Sequence, residues 1–305
     1  MTDISLVCKN YHLNINPVGG GIKEFYQIDA KGNRKDFVCG YSRDEDKSGS
    51  MGDVLFPFPG RVENSEYSFA GQKYHLSDLR IKDGHAIHGF AKWAEWEVLT
   101  QTDQSGTLRF EMQKDKYAGR GFPFDLSIQI TYSLDDHGFT CQAEVENTGR
   151  TIAPFGLGFH PYFSINGAKV DDMSLQIPAQ KMVEFAPNLK PTGEFIAIPE
   201  EFDFKLSQKI GHQIIDNCFT DLVFDEDGRA RTVLAGDNGQ ITFWQDKNLP
   251  YLQLYSADTI GEQSQRKGLA IEAQTCTGFA LNMPKMGLKV LRPGETFRAS
   301  WGVQA

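Results

Sequence analysis

The chain has 305 residues, 40% of them hydrophobic and 23% charged. That is the make-up of a globular protein with a sizeable core, built either as two ordinary domains or as one large all-β or α/β-barrel unit. Its formal charge of −9 comes with no cluster of Lys and Arg, which argues against a nucleic-acid partner, because holding a phosphate backbone takes concentrated positive charge.

The amino terminus lacks a basic stretch followed by a long apolar run, and no segment has the length and apolarity to cross a bilayer. Neither an export signal nor a membrane partner is expected. The five cysteines (Cys8, Cys39, Cys141, Cys218, Cys276) are odd in number, scattered and free of CxxC spacing. They fit reduced thiols in a cytoplasmic protein better than disulfides or a zinc site. From there the dominant period is two. Short alternating runs rich in aromatic and β-branched residues occupy 107–113, 126–132, 139–145, 241–244, 251–255, 269–273 and 297–303, and they predict strands. Turn chemistry at 135–138 between two such runs predicts a hairpin. The best helical window, 199–204, is short and weak. No repeat or linker divides the halves, so the expectation is one domain over 1–305: an all-β fold, with large antiparallel sheets packed face to face as a β-sandwich.

Several residues stand out along this frame. Arg61 follows two prolines and a glycine in the rigid apolar stretch 55–60, where a guanidinium has fixed donors for oxygen ligands, or simply makes an ion pair. His85 and His88, three apart, are weak evidence for a metal without a third ligand, and a loop histidine touching a polar ligand is the better reading. In 155–163, alternation sets Phe155, Leu157 and Phe159 on one face and Gly156, Gly158 and His160 on the other. The imidazole then overlooks a surface stripped of side chains, kept bare for a ligand or a neighbouring element, or marking a bend at Pro161. Asp216, beside Asn217, is an Asx cap or a hydroxyl acceptor. Tyr251, Gln253 and Tyr255 share one face suited to sugar rings, or form an edge strand. Glu272 shares its face with Ala270 and Gln274, and it either faces water or, if buried, needs partners such as Gln274 or an imidazole. Phosphate loops, nucleophile elbows and HExxH motifs do not occur.

Taken in order, Pro59-Gly-Arg-Val62, Ile87-His-Gly-Phe90, Gly158-Phe-His-Pro-Tyr-Phe163, Ile215-Asp-Asn-Cys-Phe219, Leu252-Gln-Leu-Tyr255, Ile271-Glu-Ala-Gln274, Ala280-Leu-Asn-Met-Pro284 and Leu291-Arg-Pro-Gly-Glu295 resemble the aldose 1-epimerases (galactose mutarotases) from about residue 52 to the carboxyl terminus. The resemblance implies a galactose mutarotase-like supersandwich that interconverts the anomers of a free hexose with no cofactor and no metal. It implies that Glu272 is the general base at the C1 hydroxyl and His160 the general acid at the ring oxygen. Arg61, His88, Asp216 and Gln253 would hold the sugar. Mutual proximity is then expected to keep a carboxylate and an imidazolium at rest.

Two departures matter. Gly60 stands where the family usually has Asn, which removes an amide from the sugar site, and Phe90 stands where many relatives have a second Gly. The competing readings are an anionic sugar, with Arg61, Arg80 and Arg120 as candidate partners, and a non-catalytic sugar-binding protein of the same fold. A monomer or a homodimer fits either.

Overall fold

The computed structural model describes residues 2–41, 47–187 and 189–305. Strand follows strand from Ile4–Cys8 to Thr296–Gln304, and among the described residues the one α-helix is the single turn Lys114–Tyr117. At 199–204 only a 3-10 turn forms, Glu200–Phe202, since six residues offer no apolar stripe long enough to hold a helix on a core. The hairpin forms between Leu126–Leu134 and Gly138–Asn147. Asp135 closes it by accepting from the His137 and Gly138 amides at 2.8 and 3.0 Å. Alternation sends Leu126, Ile128, Ile130 and Tyr132 into the core, as period two requires.

Two large antiparallel sheets make a β-sandwich. One has nine strands: it runs from Glu97–Gln101 through the hairpin to Thr296–Gln304, Gly239–Asp246 and Arg229–Gly236, and ends at Gln208–Lys209. The other runs Pro191–Ala197, Ala179–Phe185, Asp216–Leu222, Tyr251–Tyr255, Leu269–Gln274, Gly158–Phe159 and Val54–Leu55, with Tyr162–Phe163 also paired to Leu269–Gln274. Aromatic rings join the sheets: Phe159 lies 5.3 Å from Trp301 and Phe163 5.9 Å from Phe243, centroid to centroid.

The strand Leu269–Gln274 is buried at all six positions. Leu269, Ile271 and Ala273 belong to the main core. Ala270 belongs to a smaller cluster with Tyr41, Met51, Tyr162 and Ala257 on the opposite face. That second face is covered by loops, so the alternation at Glu272 does not point to water.

Candidate active site

Strand register brings the two ends of the chain's chemistry together. Gly158 pairs with Gln274 and Tyr162 with Ala270, which leaves His160 directly across from Glu272. On the other side Glu272 pairs with Gln253, and Tyr255 with Asp216. One row of the sheet therefore reads His160, Glu272, Gln253, and the next carries Tyr162, Tyr255 and Asp216. His160 sits between strands because its amide bonds to Asp53 O at 3.0 Å and its carbonyl accepts from Gly52 N at 2.9 Å, while Pro161 has no amide to continue the ladder.

His160 Nε2 lies 3.3 Å from Glu272 Oε1, with both side chains buried. The second carboxyl oxygen accepts from Gln274 Nε2 at 2.8 Å. His160 stacks on Tyr162 at 5.0 Å between ring centroids and meets the His88 ring edge-on at 5.4 Å. The glycines of this segment serve a neighbouring element. A Cβ at Gly156 would fall 2.5 Å from Cys276 Sγ, and one at Gly158 would fall 3.0 Å from Pro59 Cβ. The bare face expected beside the imidazole is filled by protein. The cavity lies instead over His160, Glu272 and Gln274, with a volume of about 440 Å³, within the range of small-molecule sites.

All six residues singled out by sequence line this cavity: Arg61, His88, His160, Asp216, Gln253 and Glu272. Gln253 Nε2 donates to Asp216 Oδ1 at 2.9 Å. The Asp216 side chain is therefore no Asx cap; the local turn contact runs from the Asp216 amide to Asn217 Oδ1. His88 Nδ1 accepts from the Gly60 amide at 3.1 Å, which leaves its Nε2–H as the donor. Tyr255 lines the cavity and Tyr251 does not; Tyr251 packs with Val183, Cys218 and Met286. His85 Nδ1 accepts from the Asn64 amide at 3.0 Å and its ring packs on Phe279. Among the described residues no group of three His, Cys, Asp or Glu could hold a metal.

Burial governs the charges. It raises Glu272 well above the usual carboxylate range, with Asp216 adding to the rise and the Gln274 amide opposing it. Burial also pushes His160 down to about 3, helped by the ammonium of Lys92. Burial thus works against the expected resting carboxylate and imidazolium and opposes their mutual attraction. It favours the neutral tautomer of the pair, carboxylic acid with imidazole, which has the same proton count as the ion pair. Burial likewise holds His88 well below its ordinary value.

Similar proteins carry the same architecture. The family profile described as Aldose 1-epimerase matches residues 3–304. The chain belongs to the aldose 1-epimerase family. An Escherichia coli protein, uncharacterized YihR, is 29% identical over 98% of this chain and 92% of its own length. The E. coli aldose 1-epimerase is 24% identical over 83% of this chain and 79% of its own. A crystal structure of a GalM/aldose epimerase homologue from C. elegans superposes with a TM-score of 0.87 at 20% identity, covering 99% of this chain and 98% of that one.

Against this aldose epimerase background the two departures resolve differently. Gly60 has φ +62°, and a Cβ there would sit 2.5 Å from Gly278 Cα. Backbone meets backbone, so Gly60→Asn should lower the thermal midpoint by an amount worth about 1–3 kcal/mol and gain no turnover, as melting curves and polarimetry can check. Phe90 does not line the cavity; it is buried edge-on to Tyr117 at 5.1 Å. Arg120 lies over the Phe90 ring, 4.6 Å from its centroid, and donates to Asp78 O, so it too lies away from the cavity.

Sequence reading missed Lys47, Ser50 and Lys82 on the cavity wall and Lys92 behind it. Lys92 is fully buried, donates to Ser50 Oγ at 3.2 Å, and is held down to about 8 by burial. Asp53, also buried, pairs with Lys47. Isolated Lys, Ser and Asp outside any motif read as solvated, so no local signal marks them.

Proposed function

We propose that this protein is an aldose 1-epimerase that interconverts the α and β anomers of a hexose by opening and reclosing the ring, working in the cytoplasm as one unit over 1–305. One observation carries the reading: His160 Nε2 and Glu272 Oε1 stand 3.3 Å apart on the wall of a sugar-sized cavity. Because the pair holds a single proton, shifting it from Glu272 to His160 needs none from bulk water. Hydroxyls of the entering sugar donate to the carboxylate and favour that charged tautomer. Glu272 then takes the proton of the C1 hydroxyl while His160 gives its proton to the ring oxygen as the C1–O5 bond breaks. While the aldehyde is open the pair stands in its neutral tautomer. Rotation about C1–C2 and reclosure with the roles reversed deliver the other anomer. Arg61, His88, Asp216 and Gln253 hold the sugar's oxygens, His88 through its Nε2–H.

Polarimetry on freshly dissolved α-glucose and α-galactose tests the activity: decay of rotation no faster than in buffer for every aldose tried ends the proposal. The pH profile tests the proton bookkeeping. A histidine held near 3 stays unprotonated in the empty site across the range in which a free imidazole titrates. The acid limb of kcat/KM is therefore expected to fall far below the ordinary imidazole value of about 6.5, and an inflection close to it contradicts the assignment.

A further inference from the structure

One wall of the cavity is cationic. The strands Arg61–Val62, His85–Ile87 and Ile81–Lys82 form a small antiparallel sheet in which Arg61 pairs with Ile87 and Lys82 with His85. Arg80, next in line, is tied to it by its carbonyl, which accepts from Ile87 N at 3.1 Å. Arg61, Arg80 and Lys82 all line the cavity.

Little compensates them. Among the described residues Arg80 and Lys82 make no ion pair and no side-chain hydrogen bond. Arg61 Nε is buried without a hydrogen-bond partner, and its one ion pair is a loose contact at 3.5 Å to Asp83, whose carboxylate is 69% exposed. The other nearby acid, Asp216, accepts from Gln253 and offsets part of the charge of Arg61 and Lys82 through space, with no ion pair to either among the described residues. Positive charge is thus kept facing a cavity in a chain of formal charge −9. The cost is visible in Lys82, which is held below the ordinary lysine value by burial and then by Arg61, with Arg80 adding a little and Asp216 and Asp83 opposing the fall only in part. Three like charges are tolerable on one wall if a ligand supplies the counter-charge.

We infer that the sugar carries a tetrahedral oxyanion, phosphate or sulfonate, away from C1, and that Arg61, Arg80 and Lys82 receive it. Two guanidinium forks and one ammonium offer the planar and point donors that three anionic oxygens accept. The inference deepens the anomerisation reading and rests on it for turnover, though not for binding.

The test compares glucose, glucose 6-phosphate and glucose bearing a sulfonate at C6. Anomer re-equilibration is followed by polarimetry and proton NMR, and binding of each sugar is measured by calorimetry at low and high salt. At least one anionic sugar should exceed glucose in kcat/KM by about tenfold or more, an advantage eroded by salt. Arg80→Gln and Lys82→Gln should each cut that ratio on the order of tenfold, the worth of one charge-assisted contact. Whichever anion is preferred identifies the headgroup. Glucose handled as well as both anionic sugars, or a ratio unmoved in both variants, overturns the inference while leaving the epimerase reading intact. If no sugar is turned over, the epimerase reading falls and calorimetry decides this one alone. Tighter binding of an anionic sugar that Arg80→Gln weakens supports it, and equal or undetectable binding of all three overturns it.

Discussion

Glu272→Gln should lower anomerisation on the order of a hundred- to ten-thousand-fold, the usual worth of a positioned acid or base, while sugar binding stays measurable. The amide keeps the shape of the carboxyl and its contact with Gln274, but it can neither take the C1 proton nor hold the one that the pair shares. His160→Asn should cost a similar factor for the complementary reason, loss of the proposed proton donor to the ring oxygen. If both act on one shared proton across the 3.3 Å contact, as proposed, the double variant should be little worse than either single one. Polarimetry of the two single variants and the double variant, with calorimetry of the bound sugar, checks all three statements. Near-normal turnover in either single variant, or costs that multiply in the double, would falsify the shared-proton assignment.

Trp301→Ala should be the most damaging change outside the cavity. Trp301 is 1% exposed, and its ring lies between 5.3 and 5.4 Å from those of Phe139, Phe159 and Phe243. It therefore clamps the hairpin and both large sheets at once. Truncation leaves a hole that rigid strands cannot close, and costs about 3–5 kcal/mol. That is a large share of the roughly 5–15 kcal/mol that holds a domain folded. Denaturant unfolding followed by fluorescence or circular dichroism should show a strongly lowered midpoint, with Trp301→Phe much milder because it keeps most of the ring. Phe159 precedes His160, so turnover in the folded fraction of the Ala variant should fall as well. An unchanged midpoint would mean that the two sheets do not depend on this clamp.

Much of the fold was legible because its strands announce themselves. The hairpin at 126–147 followed from alternation and one aspartate-glycine turn, features set by neighbours a few residues apart. The candidate site residues were legible as residue types, and all six reach one cavity. Their surroundings were not. Gly156 and Gly158 gave a correct sign of close approach, yet what approaches is Pro59 and Cys276. Tyr251 shares the parity of Gln253 but packs into another cluster, against Met286 from the turn Pro284–Met286. Lys82 and Lys92 carried no local mark, since nothing in a short irregular stretch tells a solvated lysine from one whose surface distant segments remove.

The sequence by itself determined that the chain is built from strands, and which side chains share a face, because covalent geometry sends successive side chains to opposite sides whatever the strand pairs with. The tertiary structure alone decided that position 160 faces position 272 and that three cations share one wall with them. It also decided that burial disfavours the charged forms of Glu272 and His160. Register and desolvation arise from contacts between segments far apart in the chain, and they are free energies of the assembled sheets, absent from any stretch of residues taken alone.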